Sequence, residues 1–365
     1  MEIGVPKEIK DQEFRVGLSP ASAQALGQQG HQVFVETGAG VGAGFPDADY
    51  EQVGATVVTE AVHAWNRELV IKVKEPLLAE YDLLQAGQIL FTYLHLAADR
   101  TLTERLMASG VSAIAYETVE INVGDRSALP LLTPMSVIAG RLSIQFGAHF
   151  LERQQGGRGV LLGGIPGVKP GKVVIVGGGV VGTEAARMAI GMGAQVTILD
   201  INVERLTYLE TLFGSRIELL YSNAQHLAEG VPTADLLVGA VLVPGKRAPI
   251  LVSRQLVQQM ASGSVIVDVA VDQGGCVETL FTTSHTDPVY IAEGVLHYGV
   301  PNMPGAVPWT ATQALNHSTF PFVAQLANQG LAALDQDAAL KKGLNVHRHR
   351  LVHPAIQQVF PDLVA

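Results

Sequence analysis

"KVVIVGGGVVGTEAARMAIGMGAQVTILD" runs from Lys172 to Asp200. A β-branched run, a glycine-rich turn, a helical stretch and a second β-branched run follow one another without a break. Gly177, Gly179 and Gly182 meet the spacing GxGxxG. In such a turn the first glycine makes the tight bend, the second lets backbone approach a pyrophosphate, and the third lets helix pack closely on strand. The helix that follows points its free N–H groups at the phosphates. The spacing alone is weak evidence in a chain of 39 glycines, but its place between strand and helix gives it weight. The second strand ends in Asp200, at the distance where a carboxylate takes the ribose hydroxyls. A carboxylate there accepts from the 2′-OH of NAD and repels the 2′-phosphate of NADP. Arg205 nearby speaks for a phosphate instead; the balance favours NAD.

The alternation continues downstream through "IELLY", "ADLLVGAVL" and "SVIVDVAVD", and after about residue 308 the chain returns to helix. Upstream, "RGVLLGGIPGVKPGK" (158–172) is a Gly/Pro-rich connection. Before it, an amphipathic segment capped by Thr133–Pro134 and closed by Gly156 is long enough to cross between domains. The first 120 residues form another alternating set. "EIGV" (2–5), "HQVFVE" (31–36), "LVIKV" (69–73), "QILFTYL" (88–94) and "SAIAYE" (112–117) read as buried strands. Ser19 and Pro20 read as the cap and first position of an intervening helix that Gly30 ends. Strands alternating with helices predict α/β architecture: two doubly wound (Rossmann-like) parallel-sheet domains with a cleft between them.

Composition bounds the function. The chain has 365 residues, 48% hydrophobic and 16% charged, enough for two domains with cores of their own. A formal charge of −10 with no Lys/Arg cluster argues against a nucleic-acid partner. No signal-peptide pattern opens the sequence, and no run of about 18 apolar residues predicts a membrane span. The one cysteine, Cys276, fits a reducing compartment, so the cytoplasm is expected. With no neighbouring His or Lys to activate it, Cys276 reads as structural or inert.

Three polar residues of the first half lie just past expected strands: Arg15 after "EIGV", Lys74 after "LVIKV" and His95 after "QILFTYL". Asp272 holds the same position after "SVIVDVAV" in the second half, before Gly274–Gly275. Open parallel sheets bind ligands outside the carboxyl ends of their strands, so these loops can share one pocket. Each residue also has a plainer reading. Arg15 beside Glu13 reads as a surface ion pair, Lys74 as a solvated strand end, His95 as a hydrogen-bonded core histidine, and Asp272 as a turn cap. Together they support a specific chemistry. Arginine grips a small carboxylate, lysine polarises a carbonyl, and histidine moves the proton that accompanies hydride transfer to a nicotinamide. That describes oxidation of a 2-amino or 2-hydroxy acid; spacing does not say which.

At these residues the chain resembles the alanine dehydrogenase family, essentially from end to end. The stretches that carry the resemblance are "EFRVGLSP", "IKVKEP", "FTYLHLAA", "LPLLTPMSVIAGR", "GGRGVLLGGIPGV", "LDIN", "VDQGG" and "NMPGAVP". The resemblance implies a substrate/catalytic domain from 1–132 plus 309–365 and an NAD-binding domain from 133–308. It implies that Arg15 and Lys74 hold the 2-oxo acid, that His95 is the acid/base, and that Asp272 is a second essential group beside the nicotinamide. It carries cofactor contacts to Ser136, Val180, Asp200, Arg205, Ser222, Val241, Leu242, Val269, Val300 and Met303. The implied reaction converts L-alanine to pyruvate and ammonium with NAD, in a homohexamer and without a metal. Departures are small: Gly178 replaces a common alanine, and "ETVEINVGDRSALP" looks longer than in some relatives.

The nearest rival is the soluble NAD-binding part of proton-translocating transhydrogenase, whose counterpart of "FTYLHLAA" lacks the histidine. Saccharopine-type dehydrogenases and a non-catalytic NAD-binding protein are further alternatives. "NVHRHRLVHP" gathers His347, His349 and His353, with His349 and His353 on one face if helical. No carboxylate or cysteine accompanies them, and intervening arginines repel a cation, so no functional metal site is expected.

Overall fold

The computed structural model describes residues 1–123, 126–241, 248–271 and 274–364; Leu242 and Asp272 lie outside them. The chain divides into two compact units, Met1–Met135 with Gly305–Ala365, and Ser136–Pro304. The expected boundaries were 132/133 and 308/309.

In the first unit, β1 (Glu2–Val5), β2 (Gln32–Glu36), β3 (Thr56–Val58), β4 (Leu69–Ile71), β5 (Ile89–Thr92) and β6 (Ser112–Ala115) pair in parallel, in the order β3-β2-β1-β4-β5-β6. Every residue of β4, β5 and β6 is buried, as expected of apolar runs covered on both faces. The helix Pro20–Gln28 starts where its signals lie: Ser19 Oγ accepts from Ser22 N at 3.3 Å. β7 (Ile121–Val123) and β8 (Arg126–Ala128) form a small antiparallel pair apart from this sheet.

The second unit repeats the plan. Its strands are β9 (Lys172–Val176), β10 (Gln195–Asp200), β11 (Glu218–Tyr221), β12 (Leu236–Gly239), β13 (Val265–Asp268), β14 (Val289–Ala292) and β15 (Val295–Tyr298). They pair in the order β11-β10-β9-β12-β13-β15-β14, all parallel except β14. In both sheets the order reverses beside the first strand, at β1/β4 and at β9/β12. Those switch points are where doubly wound sheets open a crevice for ligands. The architecture is α/β and Rossmann-like in both units.

The sheets are not wholly parallel. β14 pairs antiparallel with β15, and β16 (Leu344–His347) and β17 (Arg350–Leu351) add an antiparallel edge beside β6. Tight turns make these edges. Glu293 and Gly294 take φ 51° and 77°, and Arg348 and His349 take φ 48° and 61°, the left-handed pairs that two-residue hairpins need. The long C-terminal helical reading breaks accordingly into Pro308–Gln329, Ala333–Gln336 and Ala338–Lys342, followed by strand. Helix Pro308–Gln329 also fixes the segment carrying Arg15. Thr312 Oγ1 accepts from Val16 N at 3.3 Å, and Asn316 Oδ1 accepts from Ser19 N at 2.6 Å. Among the described residues no helix is long and apolar enough to cross a membrane.

Candidate active site and nucleotide-binding turn

In the turn after β9, Gly177 takes φ +104°, and a Cβ there would stand 2.5 Å from the Ala240 carbonyl oxygen. A Cβ on Gly182 would come within 1.9 Å of the Gly177 oxygen, so only glycine lets helix Val180–Gly191 lie this close to its strand. Gly179 differs. It caps the helix with φ −63°, and a Cβ there would meet no atom within 4 Å. Two glycines are thus needed by the fold, and the third faces open space where a pyrophosphate can approach.

Asp200 ends β10 and braces this turn. Its Oδ2 accepts from Gly178 N at 2.6 Å and its Oδ1 from Asn202 N at 2.8 Å. Arg205 donates from Nε to the Gly178 oxygen at 2.5 Å and from Nη2 to Thr183 Oγ1 at 2.6 Å, with its guanidinium over Tyr208. The other nucleotide candidates follow neighbouring strand ends. Ser222 comes after β11 and donates its N–H to the Asp200 oxygen at 3.0 Å. Val241 lies just beyond β12; Val269 follows β13 and donates its N–H to the Gly239 oxygen at 2.9 Å. Val300 and Met303, both buried, follow β15. Val180 opens the helix after the turn, and Ser136, half-buried, lies in the first turn of helix Thr133–Phe150.

In the first unit, Arg15, Lys74 and His95 follow β1, β4 and β5, which are consecutive neighbours in the sheet. Arg15 is 1% exposed. Its Nε donates to Glu13 Oε1 at 2.7 Å, its Nη2 to Glu13 Oε2, and its Nη1 lies 3.1 Å from Met135 Sδ. The ion pair with Glu13 is therefore present but buried, which a solvated surface pair would not be. Burial works against the charge on Arg15, but Glu13 outweighs it and holds the guanidinium charged. Lys74 is also buried, not a solvated strand end. Its backbone N–H donates to Glu8 Oε1 at 3.2 Å, and its carbonyl accepts from Thr92 Oγ1 at 2.9 Å.

His95 is exposed, so it is no core histidine. Its backbone is left-handed, φ 51° and ψ 37°, a conformation costing a non-glycine residue about 1–2 kcal/mol. Such strain gathers at sites where a side chain must point in one direction. The imidazole stacks on Tyr93 with ring centroids 5.9 Å apart and planes 8° from parallel. Tyr93 is fixed by its hydroxyl, which donates to the Leu131 oxygen at 2.6 Å, and by an edge-on contact with Tyr116 at 5.0 Å. Burial pushes the Tyr93 hydroxyl's pKa well up, so it stays a neutral donor. A guanidinium, a lysine and an accessible imidazole thus share the carboxyl edge of one sheet, beside its switch point.

Residues 4–139 match the N-terminal domain, and residues 143–354 the C-terminal domain, of the family described as alanine dehydrogenase/PNT. The chain belongs to that family. It is 53% identical over 359 residues to alanine dehydrogenase of Methanococcus maripaludis, covering 98% of this chain and 95% of the relative. It is 52% identical to alanine dehydrogenase of Bacillus subtilis, covering 98% and 94%. A solved structure titled L-alanine dehydrogenase matches with TM-score 0.97 and 74% identity over the whole of both chains. A transhydrogenase from Sinorhizobium meliloti shares the fold, with TM-score 0.83 and 24% identity over 97% of this chain and all of its own.

Several residues of this alanine dehydrogenase/PNT chain escaped the sequence reading. Lys72 is fully buried between Glu80 Oε1 at 2.7 Å and Glu8 Oε2 at 3.1 Å. Burial works against its charge, but the two carboxylates outweigh it and hold the ammonium charged. Burial raises the pKa of Glu8, against the pull of Lys72. A lysine inside the apolar run "LVIKV" was the signal, because a charge there requires buried partners. Asp268 ends β13 fully buried and accepts from Ala270 N at 2.9 Å and Cys276 N at 2.7 Å, tying together both ends of the segment that contains Asp272. Burial first, then Asp268, pushes the Cys276 thiol well up, so it is not a ready nucleophile. The C-terminal histidines do not share a helix. His347 bonds Ser112 Oγ at 2.9 Å, His349 bonds the Met107 oxygen at 2.9 Å from the hairpin turn, and His353 precedes helix Pro354–Val359. Among the described residues no group of three or more His, Cys, Asp or Glu is arranged to hold a metal ion.

Proposed function

We propose that the protein catalyses the reversible oxidative deamination of L-alanine to pyruvate and ammonia with NAD. The observation that carries this reading is the position of Arg15, Lys74 and His95 at the carboxyl ends of adjacent strands in a chain of this family. The nucleotide turn suits a dinucleotide: open backbone at Gly179, a strand-end carboxylate at Asp200, and a helix starting at Val180. Asp200 disfavours a 2′-phosphate, and Arg205 is engaged with the turn's own oxygens, which supports NAD over NADP. When bound, the nicotinamide exchanges hydride with the α-carbon of the substrate.

The chain's residues do the rest. Arg15 and Lys74 bind and orient the substrate carboxylate, with sheltered charge-assisted bonds worth about 1.5–3 kcal/mol each. Lys74 also polarises the 2-oxo group. His95 takes and returns the protons that accompany addition of water and loss of ammonia, a role worth about 10²–10⁴ in rate. Asp272 is the second essential group in this reading; it lies outside the described residues. Assembly as a homohexamer in the cytoplasm, with no membrane or nucleic-acid partner, completes the proposal. It is supported by the family resemblance and the charge of −10, and a solution mass of six chains would test it.

The deciding experiment follows NADH absorbance with purified protein and pyruvate, with and without ammonium. Consumption that requires both is expected. Consumption without ammonium would mean a 2-hydroxy-acid enzyme, and none at all with NADH binding intact would refute the proposal. His95→Ala retaining near wild-type turnover would remove His95 from its role.

A further inference from the structure

We propose that Glu117 is the positioning residue that holds His95 in its working conformation; this rests on His95 being the acid/base of the reading above. Glu117 lies just past the end of β6, the strand next to β5, in the turn Tyr116–Thr118. The left-handed backbone of His95 turns two successive N–H groups toward one point, a concavity that attracts an anion. The Glu117 carboxylate occupies that point. Its Oε1 accepts from His95 N at 2.6 Å, and both oxygens lie 3.2 Å from Leu94 N. Among the described residues no salt bridge engages Glu117, and its hydrogen bonds are those from Leu94 N and His95 N, although its charge also reaches Tyr93 and His353.

The imidazole thus has two supports of different kinds. Tyr93 supports its face, and Glu117 fixes the backbone from which it projects. Removing the carboxylate leaves Leu94 and His95 N–H without their acceptor and removes the reason for the left-handed turn. The backbone then relaxes toward an ordinary conformation, and the ring turns away from the strand end. The Arg15 guanidinium is held by Glu13 and the Lys74 backbone N–H by Glu8, and both are untouched. Substrate binding should therefore persist while proton transfer fails. Glutamine is an informative substitute. Its carbonyl can replace Oε1, but its amide would face Leu94 N–H, donor against donor.

The test measures kcat and KM for pyruvate in Glu117→Ala and Glu117→Gln, each also in a His95→Ala background. Expected are a roughly 30–100-fold loss of kcat in E117A and about 5–10-fold in E117Q, with KM and NADH affinity within about threefold. In the His95→Ala background the further loss should be under about twofold, because the residue through which Glu117 acts is gone. An equal loss in both backgrounds would overturn the proposal, as would E117A turnover within about threefold of wild type. If E117A does not fold, E117Q carries the same cycle. Wild-type protein that binds NADH but fails to turn over pyruvate and ammonium defeats the functional reading, and this inference with it.

Discussion

Gly179→Ala and Gly182→Ala add the same methyl group three residues apart, and the structure gives them opposite expectations. At Gly179 the new Cβ meets nothing within 4 Å, and φ −63° suits any L-residue. Folding should not suffer; a narrower unfolded ensemble stabilises such a variant by about 0.4–1 kcal/mol. The methyl does, however, stand where backbone would approach a pyrophosphate. A methyl contact needs about 3.5–4 Å, whereas an N–H donor and its phosphate oxygen come to about 2.9 Å. The phosphates would retreat and lose at least one charge-assisted bond of about 1.5–3 kcal/mol, so NADH should bind about tenfold or more weakly. At Gly182 the new Cβ would lie 1.9 Å from the Gly177 oxygen, and helix or turn must shift. Overpacking of that kind costs about 1–3 kcal/mol, so Gly182→Ala should lose stability as well as affinity. NADH fluorescence titration paired with thermal unfolding separates the two. A Gly179→Ala protein that binds NADH within about twofold of wild type would refute this placement of the pyrophosphate.

Asp200→Ala removes the acceptor for Gly178 N and Asn202 N along with the carboxylate; NADH affinity should fall by about tenfold or more while NADPH affinity falls less, and an unchanged NADH-to-NADPH ratio would contradict the proposed cofactor. Lys72→Met leaves Glu8 and Glu80 buried around no cation, so the free energy of urea unfolding should drop by about 3–5 kcal/mol, and a loss below about 1 kcal/mol would show that the cluster is replaceable. His297 is fully buried, accepts from Thr279 Oγ1 at 2.7 Å and donates to the Val295 oxygen at 2.9 Å, and burial lowers its pKa. The unfolded chain therefore takes up its proton first as pH falls. Its contribution is intact above about pH 6.5 and lost below, at up to about 1.4 kcal/mol per pH unit. His297→Gln should flatten that part of the stability profile, and an unchanged slope between about pH 6.5 and 5.5 would exclude His297 as its source.

Much of the fold around the glycine-rich turn was legible in the sequence. β1 and β10 span the residues read from the sequence, and the nucleotide turn lies between the expected strand and helix. Their signals are local: apolar runs long enough to cross a covered sheet, and glycines at positions where a side chain would collide. The short outlying strands β3, β7, β8, β14, β16 and β17 were not legible, because each has four residues or fewer and is half-polar or exposed in places. The supporting carboxylates were hidden for a different reason. Glu8, Glu13 and Glu117 look like surface residues in the sequence, and only their partners at Lys74, Arg15 and His95 reveal what they do.

The sequence by itself determined that two α/β units alternate strand and helix, that one carries a dinucleotide turn, and that cations and an imidazole follow strands of the other. Those features depend on residue type and short spacing. Which side chains share an edge was decided only by tertiary structure. Arg15, Lys74 and His95 follow neighbouring strands because β4 pairs with β1 on one side and β5 on the other, while β2 and β3 go to the far side of β1. Strand pairing between segments far apart in the chain depends on the summed burial of whole strands against their covering helices. No short stretch encodes that sum, so the strand neighbourhood, the left-handed turn at His95 and the carboxylate bonded to its N–H exist only in the folded molecule.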